Sequence, residues 1–456
     1  MRDEWLGLRN ELIFKTLPDK FSERLDIFRK NYSDEFIGAG VLRKKEIIGI
    51  IKEITIDMKS SLMDRRLSEV KKVVECEVAS NFELLARLDG EEAVKEARSV
   101  IESIVKSNMS KLSKDKDLNN FWGNDNAAGL AEAMRKGAVF ATTNPPILNA
   151  ERKRDKKYWN DVKKKLKSNN YNADVKTLTS LMMSEIVLKN CLELRPIFEE
   201  TGERLGFVCY QVDPNSIEDT ERMIDEAFFV YDYLGKRMGM KPNVSFKLPG
   251  TSASIKAARV LTGKGIGVTI TLCFSTAQHS AFADVIEEGD APASFVVMMS
   301  GRLDDPVKIE LEKIGIIEPH NIAIRASEAV IKKSYRDIYE GKKYKKSALL
   351  VASLRGPWNI EAALTTGASP VLISSFPDKT DEYDNIERKL VPEMESDIPA
   401  EVIDKLARSS IFRNAYGIDP MSESDFIDFQ PVFLTQRAFI EAYDEFKKYV
   451  MEEDDG

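Results

Sequence analysis

Residues Asn243 to Gln278 read NVSFKLPGTSASIKAARVLTGKGIGVTITLCFSTAQ, and the fold turns on how this stretch is read. Val244, Phe246 and Leu248 alternate with Ser245 and Lys247, the period of a strand whose apolar side chains share one face. A helix is predicted directly afterwards. In a closed parallel barrel the apolar set packs against surrounding helices and Lys247 points into the lumen near the mouth. Removal from water disfavours a charged amine, so a lysine placed there is expected to release its proton readily and attack carbonyl carbon, as Schiff-base chemistry requires. The competing reading is a surface charge at a strand end, the commoner fate of lysine.

Working outward, short β-prone runs alternate with helical stretches from about residue 117, the pattern of a parallel sheet. Candidate strands are Asn120 to Gly123, Ala138 to Thr143, Gly206 to Val212, Val244 to Leu248, Gly267 to Cys273, Ala293 to Met299, Ser347 to Ser353 and Val371 to Ser374. Eight strands with polar residues at their ends predict a (β/α)8 TIM barrel over residues 116–456. A doubly wound open sheet stays open as an alternative, although no glycine-rich dinucleotide fingerprint follows the first strand. Residues 1–115 read as a helical N-terminal extension, most clearly where Val94, Ala97, Ile101 and Ile104 form a helical stripe. Phe439, Ile440, Tyr443, Phe446 and Tyr449 mark a helix near the C-terminus, read as core packing or as a cover over the barrel mouth.

Composition narrows the chemistry. The chain has 456 residues, 43% of them hydrophobic and 31% charged, and no uninterrupted apolar run suited to a bilayer. Its first residues, MRDEWLGLRNELIF, lack the pattern of a secretory signal, so a cytoplasmic protein without membrane association is expected. Cys76, Cys191, Cys209 and Cys273 show no paired spacing; reduced, buried thiols are expected, with neither zinc site nor disulfide framework. With only His279 and His320 available, histidine triads and multi-histidine metal sites are disfavoured. The formal net charge of -8 argues against a nucleic-acid partner. One basic run opposes it, Arg152 to Lys167, which reads as the solvated face of an amphipathic helix with Tyr158, Trp159, Val162 and Leu166 on the other side. Glu452 to Asp455 read as a frayed acidic tail.

The opening stretch resembles the Schiff-base segment of the transaldolase family, whose pattern runs strand, I-K-x-x-[AG]-T, helix with A-A and L, then G-I and a strand T-L-x-F-S-x-A-Q. Lys247, Thr251, Ala257, Ala258, Gly265, Ile266, Thr271, Leu272, Phe274, Ser275, Ala277 and Gln278 occupy matching places. The resemblance extends over about residues 119 to 450. ATTNPPI, Ala141 to Ile147, is similar to the second-strand signature A-T-T-N-P-S, which implies that Asn144 holds the Schiff-base ligand; Asn-Pro also commonly starts turns. Val208 to Thr220 resembles the third-strand segment, with Gln211 where the family has a water-positioning glutamate. An amide can orient water by donating and accepting, and fructose-6-phosphate aldolases of the superfamily use glutamine there.

At the first strand the family's acid/base aspartate falls on Asn124 or Asp125, depending on a one-residue shift; Asp125 also suits a turn or helix cap. Thr269 replaces a family asparagine, while Thr271 matches the threonine that holds the active-site water. The sixth-strand S-P-F-V-G-R becomes Val297 to Arg302, and Ala352-Ser353-Leu354-Arg355 resembles the seventh-strand A-S-F-R. The resemblance implies that Arg302, Ser353 and Arg355 bind a sugar phosphate, a role suited to guanidinium groups beside a helix start at Pro357.

Taken together, the resemblance implies transfer of a dihydroxyacetone unit from a ketose phosphate to an aldose phosphate, with Lys247 as nucleophile, Asp125 as acid/base, Gln211 and Thr271 placing water, and no cofactor. It also implies that the C-terminal helix covers the mouth. Fructose-6-phosphate aldolase activity and a non-catalytic sugar-phosphate-binding barrel are the rival readings. Sugar phosphates are the expected partners, and homo-oligomerisation stays open.

Overall fold

The computed structural model describes residues 18–60, 71–170 and 172–452. The acidic run beyond Glu452 and the N-terminal segment quoted above lie outside them. Two compact units divide the chain: Met1–Asp115 with Ala131–Ala138 and Asp384–Arg388, and Lys116–Leu130, Val139–Tyr383 and Lys389–Gly456.

The first unit is helical, with Pro18–Gly38, Val41–Met58, Lys71–Asp89, Glu91–Lys106 and Asn108–Lys114 as its main elements. Val94, Ala97 and Ile104 of the predicted stripe are buried, and Ile101 is half-buried. A buried ion pair, Arg135 Nε to Asp57 Oδ1 at 2.6 Å, ties this unit internally. Cys76 departs from expectation: it is exposed, whereas Cys191, Cys209 and Cys273 are buried. On its helix Val74 and Val78 turn inward, and a residue midway between them faces the other side.

The second unit is the predicted closed barrel of eight parallel strands in sequential order: β1 Asn120–Asn124, β2 Ala141–Thr142, β3 Val208–Gln211, β4 Val244–Pro249, β5 Val268–Thr271, β6 Ser294–Met299, β7 Ser347–Ala352 and β8 Val371–Ser375. Each expected strand is present. β2 is shorter than predicted, because Asn144 already caps the helix Pro145–Arg154. The chain just ahead of it is still tied on both sides, Val139 N donating to Trp122 O and Gly206 N to Val139 O.

Both faces of β4 are buried, so its alternation separates two interior layers rather than core from water. Phe246 meets Tyr210 of β3 in an edge contact at 5.9 Å. The other set points into the lumen, which fills in tiers. At the bottom, Phe207 stacks on Phe140 at 5.2 Å and on Phe295 at 4.4 Å; β3 and β6 are not neighbours in the sheet, so the second contact crosses the barrel. Gly123 on β1 makes room for this plug, since a Cβ there would lie 2.4 Å from the Phe140 ring. Above come Cys209, Ser245 and Thr269, the Thr269 hydroxyl hydrogen-bonded to each of the other two. The next tier contains Gln211 and Lys247, paired across β3 and β4.

The basic run divides into two helices at Asp155, whose side chain caps Lys156–Asn169. Lys163, expected on the solvated face, is buried: its Nζ lies 4.6 Å from the Tyr449 ring centre and donates to the carbonyls of Tyr449 and Glu452. Its long stem is buried on the same helix as Trp159 while its ammonium finds backbone acceptors, and Tyr158 faces solvent instead. Among the described residues no helix is long and apolar enough to cross a membrane.

Candidate active site

A cavity of about 60 Å³ opens at the carboxyl ends of the strands. Its most central reactive group is Lys247, 7% exposed, whose Nζ donates to Thr143 O at 3.1 Å. The register sets Lys247 between Gln211 on β3 and Thr269 on β5.

Asp125 follows the last residue of β1, with its N–H bonded to Ser375 O. The carboxylate is buried and accepts from Thr142 Oγ1 at 2.7 Å. Thr142 has one hydroxyl proton, so the adjoining Ser374 hydroxyl donates to Thr142. Burial pushes the Asp125 carboxyl above the usual range, opposed by the charge of Lys247 and by the Thr142 hydrogen bond. Asn124 turns the other way and donates to the carbonyls of Asn126 and Ala128, closing the loop after β1. Of the two candidates left by the sequence, Asp125 lines the cavity.

Asn144 also lines it. Its Oδ1 accepts from Ile147 N at 3.0 Å as a helix cap, which leaves its amide N–H groups for a ligand. Thr271 is buried beside Met299, with Oγ1 3.5 Å from Sδ. Arg302, in the first turn of the helix Ser300–Lys313, is half-buried in the cavity wall. Neither an ion pair nor a hydrogen bond engages its guanidinium among the described residues. Burial lowers its proton affinity, the charge of Arg355 adds to that effect, and Asp305 opposes it. Ser353 follows the last residue of β7 with φ +58°, a left-handed conformation rare for serine and costly enough to need support from its surroundings. Its carbonyl is held by Gly301 N at 3.0 Å.

The cavity thus brings together Lys247, Asp125, Asn144, Thr271, Arg302 and Ser353. Two expected members do not line it. Gln211 is buried with Oε1 unpartnered among the described residues. Arg355 directs Nε and Nη2 to Asp305 Oδ2 at 3.1 and 2.9 Å, with Nη1 near Ser353. Sequence reasoning passed over Thr142 and Phe376 as wall residues, and it left Phe439 between core packing and a cover over the mouth. Thr142 had a usable signal, since it lies two residues before Asn144 and shares its side of the chain. Phe439 comes from the C-terminal helix Gln430–Met451, while Tyr443, Phe446 and Tyr449 of that helix are buried. A larger cleft of about 340 Å³ beside Trp358 gathers surface charges such as the Arg325–Glu328 pair and no comparable set of converging reactive groups.

A closed barrel with polar side chains converging at the carboxyl ends of its strands defines a (β/α)8 protein of the type whose working face is that mouth. The family model described as transaldolase/fructose-6-phosphate aldolase matches residues 128–417, more than half of the sequence, and the chain belongs to that family. It is 28% identical over 216 residues to the transaldolase of Thiobacillus denitrificans, covering 45% of this chain and 58% of the relative. It is 27% identical over 225 residues to that of Mycobacterium ulcerans, covering 45% and 57%. With transaldolase 2 of a Nostoc species it shares 34% over 104 residues, covering 23% and 26%. The alignments with the first two span little more than half the relatives' length.

Proposed function

We propose that the protein is a transaldolase-type enzyme that moves a dihydroxyacetone unit from a ketose phosphate to an aldose phosphate through a Schiff base on Lys247. The observation that carries this reading is the convergence on one cavity of a buried lysine, a buried carboxyl and a guanidinium that has no ion-pair partner among the described residues.

As the free amine, Lys247 Nζ attacks the ketose carbonyl carbon, and loss of water from the carbinolamine gives an iminium. Asp125 removes the proton of the hydroxyl next to the scissile bond. The carbon-carbon bond breaks, its electron pair flows into the iminium to give an enamine, and an aldose phosphate leaves. Attack of the enamine on an incoming aldehyde, protonation by Asp125 and hydrolysis of the new iminium complete the cycle. An acid whose proton affinity burial raises above the ordinary carboxylate range is suited to both transfers. Gln211 and Thr271 place the water lost and regained, Asn144 holds the dihydroxyacetone hydroxyls, and Arg302, Ser353 and Arg355 grip the phosphate. Family resemblance points to fructose 6-phosphate or sedoheptulose 7-phosphate as donor.

The test is covalent trapping. Incubation with fructose 6-phosphate and borohydride, followed by peptide mapping, should find a reduced sugar adduct on Lys247, and Lys247→Ala should take none. No adduct with any of several ketose phosphates sinks the proposal. Gln211, where the family has glutamate, favours a second reading in which the three-carbon unit is released to water. Equal cleavage rates with and without erythrose 4-phosphate would decide for that aldolase.

A further inference from the structure

Arg302 and Arg355 present an asymmetry. The guanidinium of Arg302 faces the cavity without an ion-pair partner among the described residues, whereas that of Arg355 is occupied. Arg355 lies against Gly301, where an added Cβ would come within 2.4 Å of its Cγ and 2.7 Å of its Cζ, and its fork is turned to Asp305. Asp305 is three residues beyond Arg302 on the same helix, and two guanidinium groups this close repel each other unless an anion lies near.

We propose that Asp305 is the resident counter-anion of the phosphate grip: it neutralises Arg355 and must yield to an incoming phosphate, thereby limiting how tightly phosphorylated ligands are held. This rests on the phosphate-site reading given above.

The chemistry of the pair suits displacement. Its side chains are 36% and 56% exposed, so the contact is screened and weakly held. Both Arg355 nitrogens converge on a single carboxylate oxygen, short of the two parallel bonds a guanidinium makes at best. A phosphate dianion brings twice the charge and a third oxygen, and it can bridge Arg355 and Arg302 together, which Asp305 does not do. Once the phosphorylated product loosens, Asp305 recaptures Arg355. An enzyme that must discharge one phosphorylated product and admit another in each cycle benefits from a grip with a built-in competitor, because tight uniform binding slows release without speeding the chemical step.

The experiment measures the Kd of inorganic phosphate for the full-length protein by calorimetry at fixed ionic strength. Releasing Arg355 from an exposed ion pair is worth up to about fivefold in affinity, so Asp305→Asn should bind phosphate about fivefold more tightly. In an Arg355→Gln background the same substitution should gain less than threefold, since the competition acts through Arg355. Phosphate affinity that is unchanged or weaker in D305N overturns the inference, as does an equal gain in both backgrounds. Arg302→Gln separates the two levels of argument. Loss of phosphate binding there, with D305N unchanged, defeats the role of Asp305 alone; normal binding in R302Q defeats the phosphate site and the inference together.

Discussion

Thr142 shows how much a single hydroxyl can do in this cavity. Its one proton goes to Asp125, and Ser374 supplies a donor to its oxygen, so the three groups have a fixed polarity leading to the carboxylate. That hydrogen bond lowers the proton affinity which burial raises. Thr142→Val keeps the shape and removes the donor, so Asp125 should hold its proton to higher pH. If Asp125 works as the base that opens the donor sugar, the acid limb of the kcat/KM profile moves upward, and activity below neutrality falls roughly five- to tenfold, about the worth of one hydrogen bond. The Asp125→Asn protein should lose the limb altogether. A T142V profile superimposable on the wild type would show that another group controls it.

The C-terminal helix Gln430–Met451 acts as a unit on the site. Gln436 donates to Pro214 O in the loop after β3, Asn149 donates to Ala442 O, and between these anchors Phe439 enters the cavity wall. A phenyl ring at that point keeps bulk water from a bound three-carbon unit. Phe439→Ala should therefore raise release of the unit to water, relative to transfer, by severalfold, while costing about 3 kcal/mol of stability as a buried truncation. Cleavage assayed with and without an aldose acceptor gives the ratio, and an unaltered ratio would reduce the ring to packing. At this scale the sequence was most readable. The eight strands announced themselves because alternation and β-branched runs are local properties, and Lys247 stood out because its neighbours form a long specific pattern. Choosing between Asn124 and Asp125 required knowing how β1 ends against β8, which no local pattern encodes. The engagement of Arg355 by Asp305 is a choice between side chains on consecutive βα units, and Phe439 reaches the site from the far end of the chain. Both are tertiary facts. Lys163 misled for a related reason: periodicity assigns a face to a lysine but cannot see that backbone acceptors await it there.

Two buried groups give the whole barrel opposed responses to pH. Glu226 accepts from Ser180, Tyr210 and the Asp213 backbone, yet burial outweighs these bonds and pushes its carboxyl up to about 7 from an ordinary 4.5. Folded protein thus binds the proton more readily than unfolded chain, and the stability this contributes is complete below 4.5 and lost as pH rises through about 7. His279 is the converse. Its ring contacts the Ser334 hydroxyl and the Val297 carbonyl, and burial lowers it to about 4 from 6.5, so its contribution is present above 6.5 and lost as pH falls towards 4. Between pH 4.5 and 6.5 the two slopes offset each other, each spanning roughly 3 kcal/mol in total, and the wild type should show little net trend from this pair. Substitution separates them. Glu226→Gln retains an acceptor for the Asp213 N–H and cannot ionise, so its stability relative to wild type should improve from pH 5 to about pH 7 and then level off; His279→Gln should instead gain on the wild type as pH falls from 7 to 4. Thermal unfolding of the three proteins across that range tests the pair, because the other buried carboxyls, Asp125 and Asp304 among them, are common to all and cancel in the differences. Curves for E226Q and wild type that stay parallel from pH 5 to 8 would mean that Glu226 titrates alike in the folded and unfolded chains, and that its burial in the helix layer has no consequence for the proton.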